Sequence, residues 1–274
     1  MRALSLAALT VLELSPVEMV RCAAQAGYTH VGLRPVAATE HEPPWDLIGD
    51  TPLRREVVAA LRDTGVKVLD IEILRLKPDT DVSAFDAVLE TGAVFGASFV
   101  LVAGNDPDEA RLTDRLAALA HRARAFGLRP CLEPMPWTDV RDFTQGLRIA
   151  QNTGSDEAGV LVDPLHFDRG GNHAEQLLSV PPDRLPYLQF CDAPAERPRT
   201  LDGLLYQARS ARLPPGQGGL DLLGLVSAAP ADVPLSLEVP MADVPGMPAR
   251  TPFERAALVR AETLKWLARH GLAH

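Results

Sequence analysis

Cysteine is scarce in this 274-residue chain: Cys22, Cys131 and Cys191 are its three. The number is odd and no C-x-x-C pair occurs, which excludes a disulfide framework and a zinc–thiolate site of ordinary spacing and fits a reducing cytoplasm. No apolar run approaches the roughly 18 residues that a membrane span needs. The opening Met1-Arg2-Ala3-Leu4-Ser5-Leu6 lacks the layout of a signal peptide. An excess of positive charge is missing as well: 27 Lys and Arg stand against 36 Asp and Glu, for a net charge of −9 and a pI of about 5.3. That balance argues against nucleic acid or an anionic membrane as partner and leaves a small molecule as the expectation. Neither an inter-domain linker nor a low-complexity tract interrupts the chain, so residues 1–274 read as one domain.

The chain does carry short apolar runs alternating with segments of helical period. Residues 3–9, 29–33, 66–74, 98–102, 128–133, 159–163, 186–190 and 234–239 read as strands whose apolar character fits a sheet covered on both faces. Helix starts are marked between them: Ser15-Pro16-Val17-Glu18 and Thr251-Pro252-Phe253-Glu254 combine a capping box with proline at the first helical position, and Thr51-Pro52 and Asp106-Pro107 carry the cap and the proline. Gly27, Gly65 and Gly127 stand where helices should end. Leu112, Leu116, Leu119 and Ala123 share one helical face, as core packing requires. Eight strands alternating with helices predict an α/β fold, a single (β/α)8 TIM barrel. A doubly wound open sheet would want a glycine-rich phosphate loop after the first strand, where Thr10-Val11-Leu12-Glu13-Leu14 stands instead. Residues 34–50 and 192–218 read as the longest irregular stretches, both following strands, on the side where barrel active sites lie.

The chemistry gathers at strand ends. The fifth predicted strand closes on Glu133, the sixth on Asp163, the seventh holds Gln189 and the eighth Glu238. Side chains at the C-terminal mouth of a barrel converge, so these four can meet around one point. Each alone could cap a helix or pair with an arginine. Three acids packed together without a cation repel one another and resist desolvation, which favours a bound divalent ion. An all-oxygen set suits Mn²⁺ or Mg²⁺ better than Zn²⁺. His166, three residues past Asp163, lies above such an ion as a substrate contact or proton donor. Arg34 ends the second strand. Glu72 shares a face with Asp70 and Leu74 by alternation, and it needs a partner such as Arg34 or a substrate hydroxyl. Trp137 offers an apolar wall. Arg197, Arg199, Arg209 and Arg212 occupy the stretch after the seventh strand, and Arg199 is taken as the one that grips a substrate anion. Cys191 reads as a small buried residue with no histidine beside it.

These residues resemble the xylose-isomerase-like TIM-barrel superfamily of sugar phosphate isomerases and epimerases over nearly the whole chain. The likeness lies in Ala26-Gly27-Tyr28-Thr29-His30-Val31-Gly32-Leu33-Arg34 at the second strand, in Asp163-x-x-His166, and in Pro215-Gly216-Gln217-Gly218 ahead of Leu220-Asp221-Leu222. The resemblance implies one divalent metal held by Glu, Asp, His and Glu, with Glu133 and Glu238 also handling protons and Asp163 a ligand. Gln189 stands in place of the histidine, with Asp192 as the fallback ligand. The implied activity is isomerisation or epimerisation of a sugar-like keto compound through an enediolate. A lyase acting on a keto-sugar, keto-cyclitol or dehydroshikimate shares the first half of that chemistry, and a non-catalytic binding barrel is the alternative of another class. The superfamily's DNA-repair endonucleases match poorly, since their multi-zinc sites need clustered histidines and this chain has seven, dispersed. Homodimerisation is compatible with such a barrel.

Overall fold

In the computed structural model, which describes residues 2–39, 42–242, 244 and 246–272, the parallel strands are β1 (Leu4–Leu6), β2 (His30–Leu33), β3 (Lys67–Leu76), β4 (Phe99–Gly104), β5 (Arg129–Glu133), β6 (Gly159–Val160), β7 (Leu188–Phe190) and β8 (Leu235–Leu237). They pair in the order β6-β5-β4-β3-β2-β1-β8-β7, and a parallel bridge between Val162 and Leu188 joins the two ends into a ring. All eight fall where apolar runs predict strands. Helices α1 (Pro16–Ala26), α2 (Pro52–Thr64), α3 (Asp86–Phe95), α4 (Glu109–Ala125), α5 (Phe143–Asn152), α6 (Pro164–Arg169), α7 (Leu201–Ser210), α8 (Leu222–Ala228) and α9 (Pro252–Arg269) alternate with them. The fold is the (β/α)8 barrel.

Local sequence accounts for most boundaries. Ser15 and Thr251 form the two capping boxes, and Gly27 and Gly65 close α1 and α2 with φ of 82° and 71°, a region that glycine enters without steric cost. The fourth long helix departs from expectation. Its N-cap is Asp108, which accepts from the Arg111 N–H, not Asp106. Asp106 is buried and bound instead by Arg111 (2.5 and 2.7 Å) and Arg115 (2.8 Å), a lock on the loop ahead of α4. Residues 192–218 are not all irregular either. Thr200 caps α7, and the buried Arg169 of α6 crosses to it, donating to Gln207 (3.0 Å) and to the Pro194 carbonyl (2.6 Å).

The barrel interior is lined by Leu69, Leu101, Cys131, Leu161 and Tyr187, with Phe99 stacked on Tyr187 at 5.1 Å between ring centres. The larger apolar core lies between sheet and helices and includes Val57, Leu89, Leu112, Leu116, Leu119 and Ile149. β3 is irregular twice: its register against β2 shifts past Val31/Gly32, and against β4 between Ile71 and Leu74. Strict alternation puts Asp70, Glu72 and Leu74 on one face. The second slip breaks that pattern, so Leu74 packs in the outer core and Arg75 joins Glu72 in facing the mouth. A bulge reverses side-chain direction in this way. None of the helices is long and apolar enough to cross a membrane among the described residues.

Candidate active site

A cavity of about 420 Å³ opens at the C-terminal ends of the strands, lined among others by Arg34, Glu72, Arg75, Glu133, Trp137, His166, Arg209, Arg212 and Glu238. Its floor is a set of buried charges. Asp163 follows β6 and is the N-cap of α6, its Oδ1 accepting from the backbone N–H groups of Leu165 (2.8 Å) and His166 (3.1 Å). The sequence Asp-Pro, a cap followed by a residue suited to the first helical position, builds this turn and carries His166 back over the mouth. One atom each of Glu133, Asp163 and His166 lie within 4.8 Å of one another, a trio able to hold a metal ion. The His166 ring stands edge-on to Trp137 at 4.8 Å, which gives Trp137 a place in the wall.

Glu238 arrives from the end of β8, which Thr10 fixes: its hydroxyl donates to the Leu237 carbonyl (2.7 Å) and accepts from the Val239 N–H (2.8 Å). Glu238 lies outside the Glu133–Asp163–His166 trio; Arg212 ties it to Asp163 and His166, and Gln189 of β7 binds it as well. Gln189 Nε2 donates to Glu238 Oε1 at 2.9 Å, and Arg212 Nη2 lies 2.9 Å from Glu238 Oε2. Arg212 Nη1 meets Asp163 Oδ2, and Arg212 Nη2 lies 3.4 Å from His166 Nε2. This arginine is 1 % exposed, so its charge is balanced inside the protein.

Arg212 owes its place to Asp192. The Asp192 carboxylate accepts from the N–H groups of Ala193 (2.8 Å), Gly216 (3.0 Å), Gly218 (2.9 Å) and Leu220 (3.1 Å), and its backbone exchanges two 2.8 Å hydrogen bonds with Leu213. The fallback ligand is thus spent on ordering the glycine-rich turn. Cys191 is buried, within 3.3 Å of Arg212 Nη1, and burial pushes its thiol up, away from a nucleophile's range.

Arg34 binds Glu42 (2.9 Å) and Glu72 (3.3 Å), the first of the two partners that the sequence offers Glu72. Glu42 also takes the Ala38 N–H at 3.0 Å and so fastens the loop after β2 over the cavity. Arg199 lies exposed ahead of α7 and is not among the residues lining the cavity. Arg75, Arg209 and Arg212 are the cations found there beside Arg34.

Burial sets the protonation of the floor. It raises Glu133 well above the usual carboxylate range, with Glu238 and Asp163 adding to the effect, and it raises Glu238 to about 7 against the pull of Arg212. Burial pushes Asp163 up too, but the charge of Arg212 and the hydrogen bonds from Arg212 and the His166 backbone N–H help to outweigh it, leaving Asp163 below its ordinary value and ionised. Burial drives His166 down to about 4, so its ring is neutral at physiological pH.

Among the described residues, Glu72 Oε1, Glu133 Oε1 and Gln189 Oε1 are buried acceptors at this mouth with no hydrogen-bond donor, the Gln189 amide nitrogen being engaged by Glu238. His166 Nε2 stays 3.6 Å from Glu133 Oε1. Orphaned oxygen acceptors beside ionised Asp163 are what a hard divalent cation satisfies, so the residues fit a metal, with the glutamine amide oxygen able to replace an imidazole.

The chain matches the family model described as xylose isomerase-like TIM barrel over residues 20–270. It belongs to that family. A 3-dehydroshikimate dehydratase of Pseudomonas aeruginosa is 31 % identical over 153 residues, 53 % of this chain and 24 % of that one, so the chain spans about a quarter of that relative's length. Among solved structures, the IolI protein with a bound zinc atom superposes with a TM-score of 0.77 and 22 % identity, covering 98 % of this chain and 99 % of that one. An L-ribulose 3-epimerase gives a TM-score of 0.72 at 16 % identity, with 98 % and 95 % covered. These two likenesses concern the fold. The xylose isomerase-like superfamily includes sugar epimerases and dehydratases, and in this member Glu133, Asp163 and His166 lie buried together at the barrel mouth.

Proposed function

We propose that this protein is a divalent-metal-dependent dehydratase acting on a small cyclic keto acid of the dehydroshikimate type. The observation that carries this reading is the cationic wall of the cavity. Arg75 finds one amide oxygen, that of Asn105 at 3.3 Å, and neither it nor Arg209 has a carboxylate within ion-pair distance among the described residues. Burial lowers the Arg75 pKa, and the like charges of Arg209 and Arg34 add to that, against the pull of Glu133 and Glu42. Cations gathered in a pocket are relieved by an anion, and a substrate carboxylate is the planar anion that arginine takes bidentately. A neutral ketose has no such group. The dehydratase relative supports the same choice.

Glu133, Asp163, Gln189 and Glu238 would hold the ion, with His166 beside them, and the bound cation would supply Lewis acidity toward a carbonyl oxygen. The rest falls to side chains. Arg75 and Arg209 hold the carboxylate, and Trp137 closes an apolar wall over the ring. The neutral His166 takes a proton from the carbon next to the carbonyl and passes it to the hydroxyl on the adjoining carbon. That C–O bond breaks, water leaves, a C=C bond forms and His166 returns to its neutral state; loss of a remaining ring C–H proton and protonation of the carbonyl oxygen then make the ring aromatic.

Epimerisation or isomerisation is the second reading, favoured by Glu133 and Glu238 rising from non-neighbouring strands, a placement suited to proton exchange on two faces of a carbon. Incubation of the Mn²⁺-loaded protein in D2O with 3-dehydroshikimate, and separately with a ketohexose, separates the two by NMR. Aromatic dihydroxybenzoate from the first substrate supports the dehydratase. Deuterium entering the ketohexose with no aromatic product overturns it in favour of the second reading.

A further inference from the structure

The floor of the candidate site already holds a cation of the protein's own. Arg212 lies 2.9 Å from Glu238 Oε2 and also contacts Asp163 Oδ2, so it engages two of the oxygen-bearing side chains that would hold the metal. It is fixed from behind: its Nε donates to the Ala208 carbonyl (2.7 Å), its backbone N–H donates to the Pro240 carbonyl (3.2 Å), and the adjacent Leu213 is bridged to Asp192. The guanidinium therefore cannot withdraw far when another cation arrives.

We infer that Arg212 is a resident cation that shares Asp163 and Glu238 with the divalent ion and keeps that ion loosely bound and exchangeable. The inference rests on the metal site of the proposed function. In a dry pocket a fixed positive charge opposes an incoming dication, and carboxylate oxygens already engaged by a guanidinium are weaker donors. The same guanidinium keeps the buried acids paired when no ion is present. A purely structural Arg212 predicts the opposite sign, since its loss would let the acids move apart and weaken metal binding.

Titration calorimetry with Mn²⁺ on the full chain, stripped with chelator, tests this with wild type, Arg212→Met, Arg212→Gln and Arg212→Lys. The neutral variants are expected to bind Mn²⁺ about tenfold tighter or more. Arg212→Lys, which retains the charge, should stay within about threefold of wild type. Melting in EDTA should show the neutral variants less stable than wild type, with Mn²⁺ restoring them by a larger shift than it gives wild type. Arg212→Gln keeps a polar group on the stem and guards against simple failure of the methionine variant to fold. Binding by the neutral variants where wild type shows none also supports the inference. Binding by wild type with equal or weaker binding by the neutral variants overturns it while leaving the metal site standing, as does Arg212→Lys tightening as much as they do. No binding by any of the four overturns both.

Discussion

Removing the Asp163 carboxylate separates its two structural duties by size. Asp163→Ala deletes an N-cap that serves two backbone N–H groups of α6, which costs about 1 kcal/mol. It also leaves Arg212, 1 % exposed, with one carboxylate partner in place of two. Breaking a buried ion pair by taking away one partner costs about 3–5 kcal/mol, and the surviving Glu238 contact places this case near the lower end. The alanine variant should therefore lose about 4 kcal/mol, a large share of the roughly 5–15 kcal/mol that holds a domain folded. Asp163→Asn keeps the capping oxygen and should lose about 3 kcal/mol. Urea denaturation in EDTA measures both, with midpoints falling by about 1–2 M at slopes of about 2–3 kcal/mol/M. Both variants falling within about 1 kcal/mol of wild type would refute the assignment of Asp163 as the partner that neutralises Arg212.

Further outcomes follow from the same geometry. Arg75→Met and Arg209→Met should each raise KM for a carboxylated substrate about ten- to hundredfold, the equivalent of one charge-assisted hydrogen bond, while metal affinity measured by calorimetry changes little. A Cβ at Gly218 would strike the Ala193 carbonyl and the Asp192 carboxylate, so Gly218→Ala should cost about 2 kcal/mol or more in urea. His166, held at about 4 when folded against an ordinary 6.5, refuses a proton that the unfolded chain accepts. Its contribution is fully present above pH 6.5 and is lost as pH falls toward 4, up to about 3 kcal/mol. Glu133 and Glu238, raised by burial, act with the opposite sign over an overlapping range. The difference between wild type and His166→Gln, followed in EDTA from pH 7 to 5, isolates the histidine and should shrink on acidification.

Much of this architecture is legible in the sequence because parallel barrel strands are buried on both faces. Each becomes an apolar run that stands out from the polar, capped helices, and its last inward side chain is known once its end is known. Glu133, Asp163, Gln189 and Glu238 follow from that rule. What escapes is set by long-range or irregular backbone. Arg75 reaches the cavity because β3 slips in register between Ile71 and Leu74, which strict alternation cannot foresee. Arg212 reaches the floor because a bridge 21 residues long in sequence, from Asp192 to Leu213, folds the intervening chain back. Its neighbourhood after the seventh strand is visible in the sequence as an arginine-bearing stretch, but which arginine turns inward is not, and Arg199 turns outward. The Asp192 carboxylate reads as a ligand by residue type alone, and four backbone donors claim it.

The proposed dehydration of a cyclic keto acid gives His166 the proton transfer beside a metal held by Glu133 and its neighbours. Near-UV absorbance of 3-dehydroshikimate solutions, followed with Mn²⁺-loaded wild type, Mn²⁺-loaded His166→Gln and metal-stripped wild type, tests it most directly. Steady growth of the aromatic product is expected with loaded wild type, a rate at least about hundredfold lower for His166→Gln, the scale of one general acid–base group, and none above background for the stripped protein. Equal rates from all three, or no aromatic product from any, would contradict it.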